Sequence, residues 1–265
     1  MYQRETFGPV TAGAGLLQKG RMSMPVYVYY VDGLLIDTGA RVLGDGLRRF
    51  LADLPPVERV VLTHLHEDHC GMAAPLAAEG IPIYCHPEYV EAAGAPLRFA
   101  WYRRTLSGRP EPFPAQPLGL RVETEHYTFH VIPTPGHAPD HIALYEPDRG
   151  WLFSGDLFLG TKVVTVTRHE SMPLLMESIA RVLELDFQEL FCAHAGRVEG
   201  GKEALRAKLQ ALERIQGEVH RLAALGWSPG KVARRLFPGY WYKPLTLISL
   251  GEHSSAHIVR SFWPR

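Results

Sequence analysis

The chain of 265 residues has few cysteines, no asparagine and no long apolar run. Its three cysteines, Cys70, Cys85 and Cys192, are an odd number without paired spacing, which argues against a disulfide framework and for a reducing compartment. No segment approaches the roughly 20 apolar residues that a membrane-spanning helix requires. The first residues lack the basic start and apolar core of a signal peptide. We therefore expect a cytoplasmic protein with no membrane partner.

The formal net charge is zero, because 28 basic residues balance 28 acidic ones. No overall electrostatic field therefore attracts the protein to nucleic acid. The distribution is uneven, because residues 197–265 hold 12 Lys or Arg and only 5 Asp or Glu. The absence of asparagine, together with 21 prolines, is compatible with a heat-adapted source. Hydrophobic residues make up 46% of the chain, which is enough for a sizeable core.

Short apolar strands and amphipathic helices alternate over the first 200 residues. The pattern predicts strands at 26–31, 34–37, 59–63, 81–85, 128–133, 141–146, 151–153 and 189–193. It predicts helices at 46–54, 71–79 and 173–185. Strands that lead into helices in two similar halves favour an α/β fold with two sheets and helices outside, an αββα sandwich.

The pattern changes near residue 200, after which it predicts helices at 202–225, 230–237 and 252–262. We expect a catalytic domain over residues 1–200 and a mainly helical, winged-helix-like appendage over residues 201–265. A proline-rich insertion at 95–118 is long enough to predict a functional loop or lid.

Four candidate metal ligands follow one predicted buried strand: His64, His66, Asp68 and His69. Imidazole and carboxylate groups together suit zinc or another borderline divalent metal. Side chains this polar and this dense serve no packing purpose, which favours a metal site over structural histidines. One short loop cannot complete two coordination spheres, so further ligands must come from elsewhere.

Three later strands each end beside a glycine and a ligand-type residue. His137 ends the segment Thr-Pro-Gly-His, Asp156 ends Ser-Gly-Asp, and His194 lies two residues before Gly196. The glycines permit tight turns, and loops at strand ends can converge on one edge of a sandwich. The sequence therefore predicts that these residues join the His64–His69 loop.

These motifs, together with the early segment Leu-Ile-Asp-Thr-Gly at 35–39, resemble the metallo-β-lactamase-fold hydrolases over roughly residues 10–200. The resemblance implies the αββα fold and two zinc ions per chain, with iron or manganese as alternatives. It implies that one ion is bound by His64, His66 and His137, a second by Asp68, His69 and His194, and that Asp156 bridges them. Asp37 either supports a ligand histidine through a hydrogen bond or bonds its own turn.

The sequence departs from the family pattern at Ala195, which separates the late histidine from its glycine. Iron-dependent redox relatives commonly carry glutamate where this chain has His66, so His66 favours zinc and hydrolysis. Zinc lowers the pKa of bound water from 15.7 to about 7 and so supplies hydroxide at neutral pH. Asp68 and Asp156 can orient that hydroxide, and Asp68 is the better candidate to move a proton to the leaving group.

The leading hypothesis is that the protein is a dinuclear zinc hydrolase that acts on a small thioester or lactone. A phosphodiesterase or ribonuclease using the same metal pair is the alternative suggested by the basic appendage, although nucleic acid is the less favoured partner. A mononuclear iron sulfur dioxygenase is a third alternative. Oligomeric state is open.

Arginines interleaved with aromatic residues suit an anionic substrate with a flat group, unless they only form a solvated loop. The candidates are Arg98, Trp101, Arg103 and Arg104 in the insertion and Tyr240 in the appendage. Four other residues of ligand type are not expected to bind metal: Cys70, His141, His253 and His257.

Overall fold

The computed structural model describes residues 2–20, 22–97, 99–239 and 244–264. The strands are β1 Gln3–Phe7, β2 Val10–Lys19, β3 Met22–Val31, β4 Leu34–Ile36, β5 Arg59–Val61, β6 Ile83–Cys85, β7 Gln116–Pro117, β8 Arg121–Glu123, β9 Thr128–Pro133, β10 Ile142–Glu146, β11 Trp151–Phe153, β12 Glu189–Cys192 and β13 Gly196–Val198. The helices are α1 Gly44–Ala52, α2 Ala73–Ala78, α3 Val90–Ala93, α4 Trp101–Ser107, α5 Met172–Leu183, α6 Gly201–Ala224, α7 Pro229–Leu236, α8 Pro244–Ile248 and α9 Ser255–Ser261.

The strands form two mixed sheets. The first has the order β1-β2-β3-β4-β5-β6-β7, antiparallel as far as β4 and parallel from there. The second has the order β13-β12-β11-β10-β9-β8, in which only the β11–β12 pair is parallel among the described strands. Asp32 and Gly33, with φ of 49° and 79°, make the turn between β3 and β4.

Aromatic rings fill the space between the sheets. Phe153 of β11 and Phe191 of β12 stack with ring centroids 4.9 Å apart, and the ring of Tyr29 lies edge-on to both at 5.4 Å. Helices α1 and α2 cover the outer face of the first sheet, while α5 and α6 cover that of the second. The αββα architecture with C-terminal helices is therefore confirmed.

The hairpin of β1 and β2 was not predicted, because β2 is rich in alanine and glycine, which strands disfavour. Its glycines serve close packing instead. A Cβ at Gly15 would lie 2.7 Å from Cδ1 of Leu43 and 2.9 Å from Cζ of Tyr2. Tertiary contact thus outweighs local propensity in this strand.

The C-terminal helices share one apolar cluster with the second sheet. Leu205 and Leu212 of α6, Val232 of α7 and Ile258 of α9 pack in the same cluster as Leu190 of β12. The division of the chain near residue 200 stays a prediction. In the insertion at 95–118, helix α4 contributes the buried Tyr102.

Candidate metal centre

The candidate ligands all follow the carboxyl ends of strands. His64, His66, Asp68 and His69 follow β5, while His137, Asp156 and His194 follow β9, β11 and β12. The fold brings these seven side chains together in two groups. One nitrogen or carboxylate oxygen from each of His64, His66, His137 and Asp156 lies within 4.8 Å of the others, and the same holds for Asp68, His69 and His194.

Asp156 lies between the two groups. Its Oδ2 is 3.1 Å from Nε2 of His137, whereas its Oδ1 is 3.3 Å from Nε2 of His194 and 3.4 Å from Nε2 of His69. One carboxylate therefore faces both groups, which is the geometry that a bridging ligand requires. Ala195 does not remove His194 from the cluster, since His194 Nε2 also lies 3.4 Å from Oδ2 of Asp68.

Several buried polar atoms of the cluster lack hydrogen-bond partners among the described residues. They are Nε2 of His64, Nε2 of His69 and Oδ1 of Asp156. An unpartnered polar atom in the protein interior costs about 1–3 kcal/mol. Three such atoms facing one another, all of ligand type, fit a site for divalent metal ions.

Burial and neighbouring charges shift the pKa values of the ligands in opposite directions. Burial lowers the pKa of His64 and His66 well below the ordinary value, which keeps both imidazoles neutral. Burial opposes protonation of His137 as well, but Asp156 and Glu170 raise its pKa to about 10. Burial would raise the pKa of Asp156, yet His194 and the other histidines hold it well below its usual range. Without metal, protons on histidines would balance this carboxylate.

Hydrogen bonds from outside the cluster orient the ligand rings. Asp37 Oδ2 lies 2.8 Å from Nδ1 of His69, and Asp37 Oδ1 accepts from the backbone N–H of Thr63 at 2.7 Å. Asp37 thus contacts the ring of His69, as the supporting role considered for it requires, and the role itself stays a prediction. Thr63 Oγ1 also contacts Nδ1 of His64 at 3.1 Å, so the strand end and its ligands form one network.

Two supports were missed by sequence reasoning. Glu170 Oε2 lies 3.1 Å from Nδ1 of His137, and the carbonyl oxygen of Pro25 lies 2.6 Å from Nδ1 of His194. A backbone carbonyl carries no sequence signal. Glu170 lies in a loop before α5 without a motif around it, so nothing local distinguishes it from a surface glutamate.

His141 contacts the backbone of Asp156 and belongs to neither of the two ligand groups. Its Nε2 accepts the backbone N–H of Asp156 at 2.9 Å, and its Nδ1 lies 2.8 Å from Oγ1 of Thr134. Cys70 is buried, contacts the carbonyl of Leu65 and belongs to neither ligand group.

The glycine beside His137 is required by packing. Gly136 has a φ of 139°, and a Cβ there would lie 2.4 Å from the backbone nitrogen of Leu175 in α5. Helix α5 thus packs directly against the turn that carries His137 and limits the positions that this turn can adopt.

The cluster opens into a cavity of 650 Å³. Its apolar wall includes Leu17, Met24, Pro25 and Leu106. Arg103 lines the cavity, but its Nε and Nη2 each lie 2.7 Å from a carboxylate oxygen of Glu67, so its charge is paired within the wall.

The remaining substrate-binding candidates either do not line the cavity or lie outside the residues that the structure describes. Trp101 is 52% exposed and, like the exposed Arg104, does not line the cavity. Arg98 and Tyr240 lie outside the described residues. His253 lines the cavity wall, while Nε2 of His257 contacts the carbonyl of Gly251 at 3.0 Å.

Residues 23–194 match the family described as the metallo-beta-lactamase superfamily. The chain belongs to this superfamily. A protein of Drosophila melanogaster named Beta-lactamase-like protein 2 homolog is 28% identical over 182 residues, which are 63% of this chain and 56% of that protein. A hydroxyacylglutathione hydrolase of Legionella pneumophila (strain Corby) is 35% identical over 82 residues, 29% of this chain and 30% of that protein.

A metallo-beta-lactamase family protein from Thermus thermophilus has the same fold, with a TM-score of 0.69 at 20% identity, covering 96% of this chain and 93% of that chain. This chain spans about half the length of the Drosophila relative. The predicted superfamily is confirmed, and the predicted enzyme class agrees with relatives named as hydrolases. In the described ranges no helix is long and apolar enough to cross a membrane. Zinc, a cytoplasmic location and a heat-adapted source stay predictions.

Proposed function

We propose that the protein is a hydrolase that binds two divalent metal ions, zinc in the first instance, and cleaves a small thioester or lactone. The observation that carries the proposal is the set of seven candidate histidine and aspartate ligands, five of which line a cavity with an apolar wall. Two bound ions would polarise a carbonyl oxygen and lower the pKa of a bound water to about 7.

The residues around the cluster have separate tasks. Asp156, which faces both ligand groups, would be shared by the two ions. Asp68 lines the cavity, with Oδ2 3.4 Å from Nε2 of His194 and Oδ1 3.9 Å from Nε2 of His69, and would reach a substrate and pass a proton to the leaving group. His141 and Glu170 keep the Asp156 backbone and the His137 ring in place.

The cavity wall supports a carbon ester over a polyanion. Leu17, Met24 and Leu106 offer apolar surface to an acyl group. Arg103 is neutralised by Glu67, and Glu170 is paired with His137, so these charges are balanced inside the protein. An uncharged acyl group therefore fits this wall better than the anionic substrate expected from the arginine-rich insertion.

Metal analysis and a substrate panel test the proposal. Protein purified without added metal should contain two divalent ions per chain, mainly zinc. It should hydrolyse thioesters or lactones faster than p-nitrophenyl phosphodiesters or RNA. A single iron per chain, with oxygen consumption on a persulfide, would identify a dioxygenase instead.

The basic appendage favours a ribonuclease as the second candidate. Lys231, Arg234 and Arg235 are exposed on α7, and none of them lines the cavity. If α7 binds RNA, replacing all three by alanine should weaken binding and reduce its salt slope by about 0.7 for each lost phosphate contact. We expect thioester or lactone hydrolysis to be unchanged in this variant.

A further inference from the structure

One buried lysine of the C-terminal helices reaches the back of the metal centre. Lys208 of α6 is 2% exposed, and its ammonium donates to the carbonyl oxygens of Leu157, at 2.9 Å, and Phe158. These are the two residues that follow Asp156 along the chain. Lys208, Asp156 and His137 also line a common cavity of 180 Å³, which shares His137 and Asp156 with the larger one.

The position of this cation is set by carbonyl groups. Among the described residues, Lys208 has no carboxylate within ion-pair distance. Burial lowers the pKa of its ammonium to about 8, so the protein interior disfavours the charge. Two hydrogen bonds from a charged donor offset part of that penalty.

The chain after Asp156 adopts a shape that suits such a donor. Gly155 and Leu159, with φ of 47° and 52°, enclose the segment in left-handed backbone, which is unfavourable for leucine. The two successive carbonyls between them converge on one point, where their negative ends repel each other. An ammonium at that point turns the repulsion into attraction.

We propose that Lys208 is a positioning residue that holds the turn carrying Asp156 in the shape needed for a ligand shared by two ions. Through it, the C-terminal helices support the metal centre. The inference rests on the proposed metal-binding function, but it concerns metal affinity and geometry, not the identity of the substrate.

Lys208→Met removes the ammonium and keeps a side chain of similar reach. Lys202→Met is the matched control, because Lys202 lies on the same helix and donates to the carbonyl of Leu185 at 2.7 Å, with Phe187 beside it and no metal ligand among these partners. Zinc affinity is measured by competition with a chromophoric chelator. The absorption spectrum of the cobalt-substituted protein reports ligand geometry.

Lys208→Met should bind zinc at least tenfold more weakly than the wild type and show an altered cobalt spectrum, whereas Lys202→Met should match the wild type in both. Lys208→Arg, which keeps a cationic donor, should recover affinity to within threefold. If the methionine variant does not fold, Lys208→Gln is compared with Lys208→Arg in the same assays, and the glutamine variant should show the weaker binding.

Unchanged affinity and spectrum in Lys208→Met would overturn the role of Lys208 alone. An equal loss in Lys208→Met and Lys202→Met would also overturn it, since general destabilisation would then explain the effect. A wild-type protein that binds no divalent ion would overturn the proposed function together with this inference. Metal binding by the wild type without hydrolysis of any ester would overturn only the proposed function.

Discussion

Replacing Glu170 by glutamine should weaken metal binding while the fold survives. The carboxylate uses both oxygens as acceptors: Oε1 lies 2.6 Å from the backbone nitrogen of Thr167, and Oε2 lies 3.1 Å from Nδ1 of His137. Glutamine has one acceptor oxygen and one amide group that donates. The variant can therefore keep both contacts only if Nδ1 of His137 accepts from the new amide instead of donating to a carboxylate.

Either orientation of the new amide is unfavourable. If its NH₂ faces His137, the ring must accept at Nδ1 and carry its proton on Nε2, the atom that faces Asp156 at 3.1 Å and would bind metal. If its oxygen faces His137, the NH₂ opposes the N–H of Thr167. Losing such a supporting partner typically costs 10–100-fold in metal affinity, which is about 1.4–2.7 kcal/mol.

Competition titration with a zinc-binding dye measures this change. Glu177→Gln is the control, because Glu177 is exposed on α5 and its substitution makes the same change of charge. We expect Glu177→Gln to bind zinc like the wild type. Wild-type affinity in Glu170→Gln would refute the reasoning that the His137–Glu170 contact sets the ring for metal binding.

Two further predictions concern the ligands themselves. Asp156→Ala should lose metal in elemental analysis and activity in a hydrolysis assay, while its circular dichroism spectrum stays that of the wild type. His257→Ala, the control, should keep its metal. Full activity with both ions bound to Asp156→Ala would show that Asp156 is not a shared ligand. Metal binding at pH 7 should release protons. Burial lowers the pKa of His137, but Asp156 and Glu170 outweigh it and raise that pKa to about 10, whereas only the neutral ring binds metal. Affinity should therefore rise with pH toward 10, and calorimetry in buffers of different ionisation enthalpy that detects no proton release would contradict this.

The sequence alone determined the architecture and the candidate ligands. Strand periodicity and the glycine beside each of His137 and Asp156 are local signals, because a ligand loop needs a strand end and a tight turn. The dense loop from His64 to His69 is equally local. The two sheets and the superfamily are confirmed, and the structure brings the predicted ligands into two groups, although their role as ligands stays a prediction.

Only the tertiary structure decided which other groups surround the ligands. The contact of His137 with Glu170 joins residues 33 apart, and that of His194 with the carbonyl of Pro25 joins residues 169 apart. Arg103 was expected to contact a substrate, which stays a prediction; it lines the cavity, and folding pairs it there with Glu67, 36 positions earlier. Such partners meet because of how sheets and helices pack, and no periodicity or spacing along the chain encodes that packing. The sequence shows which side chains carry a charge, but the fold decides which opposite charge each of them pairs with.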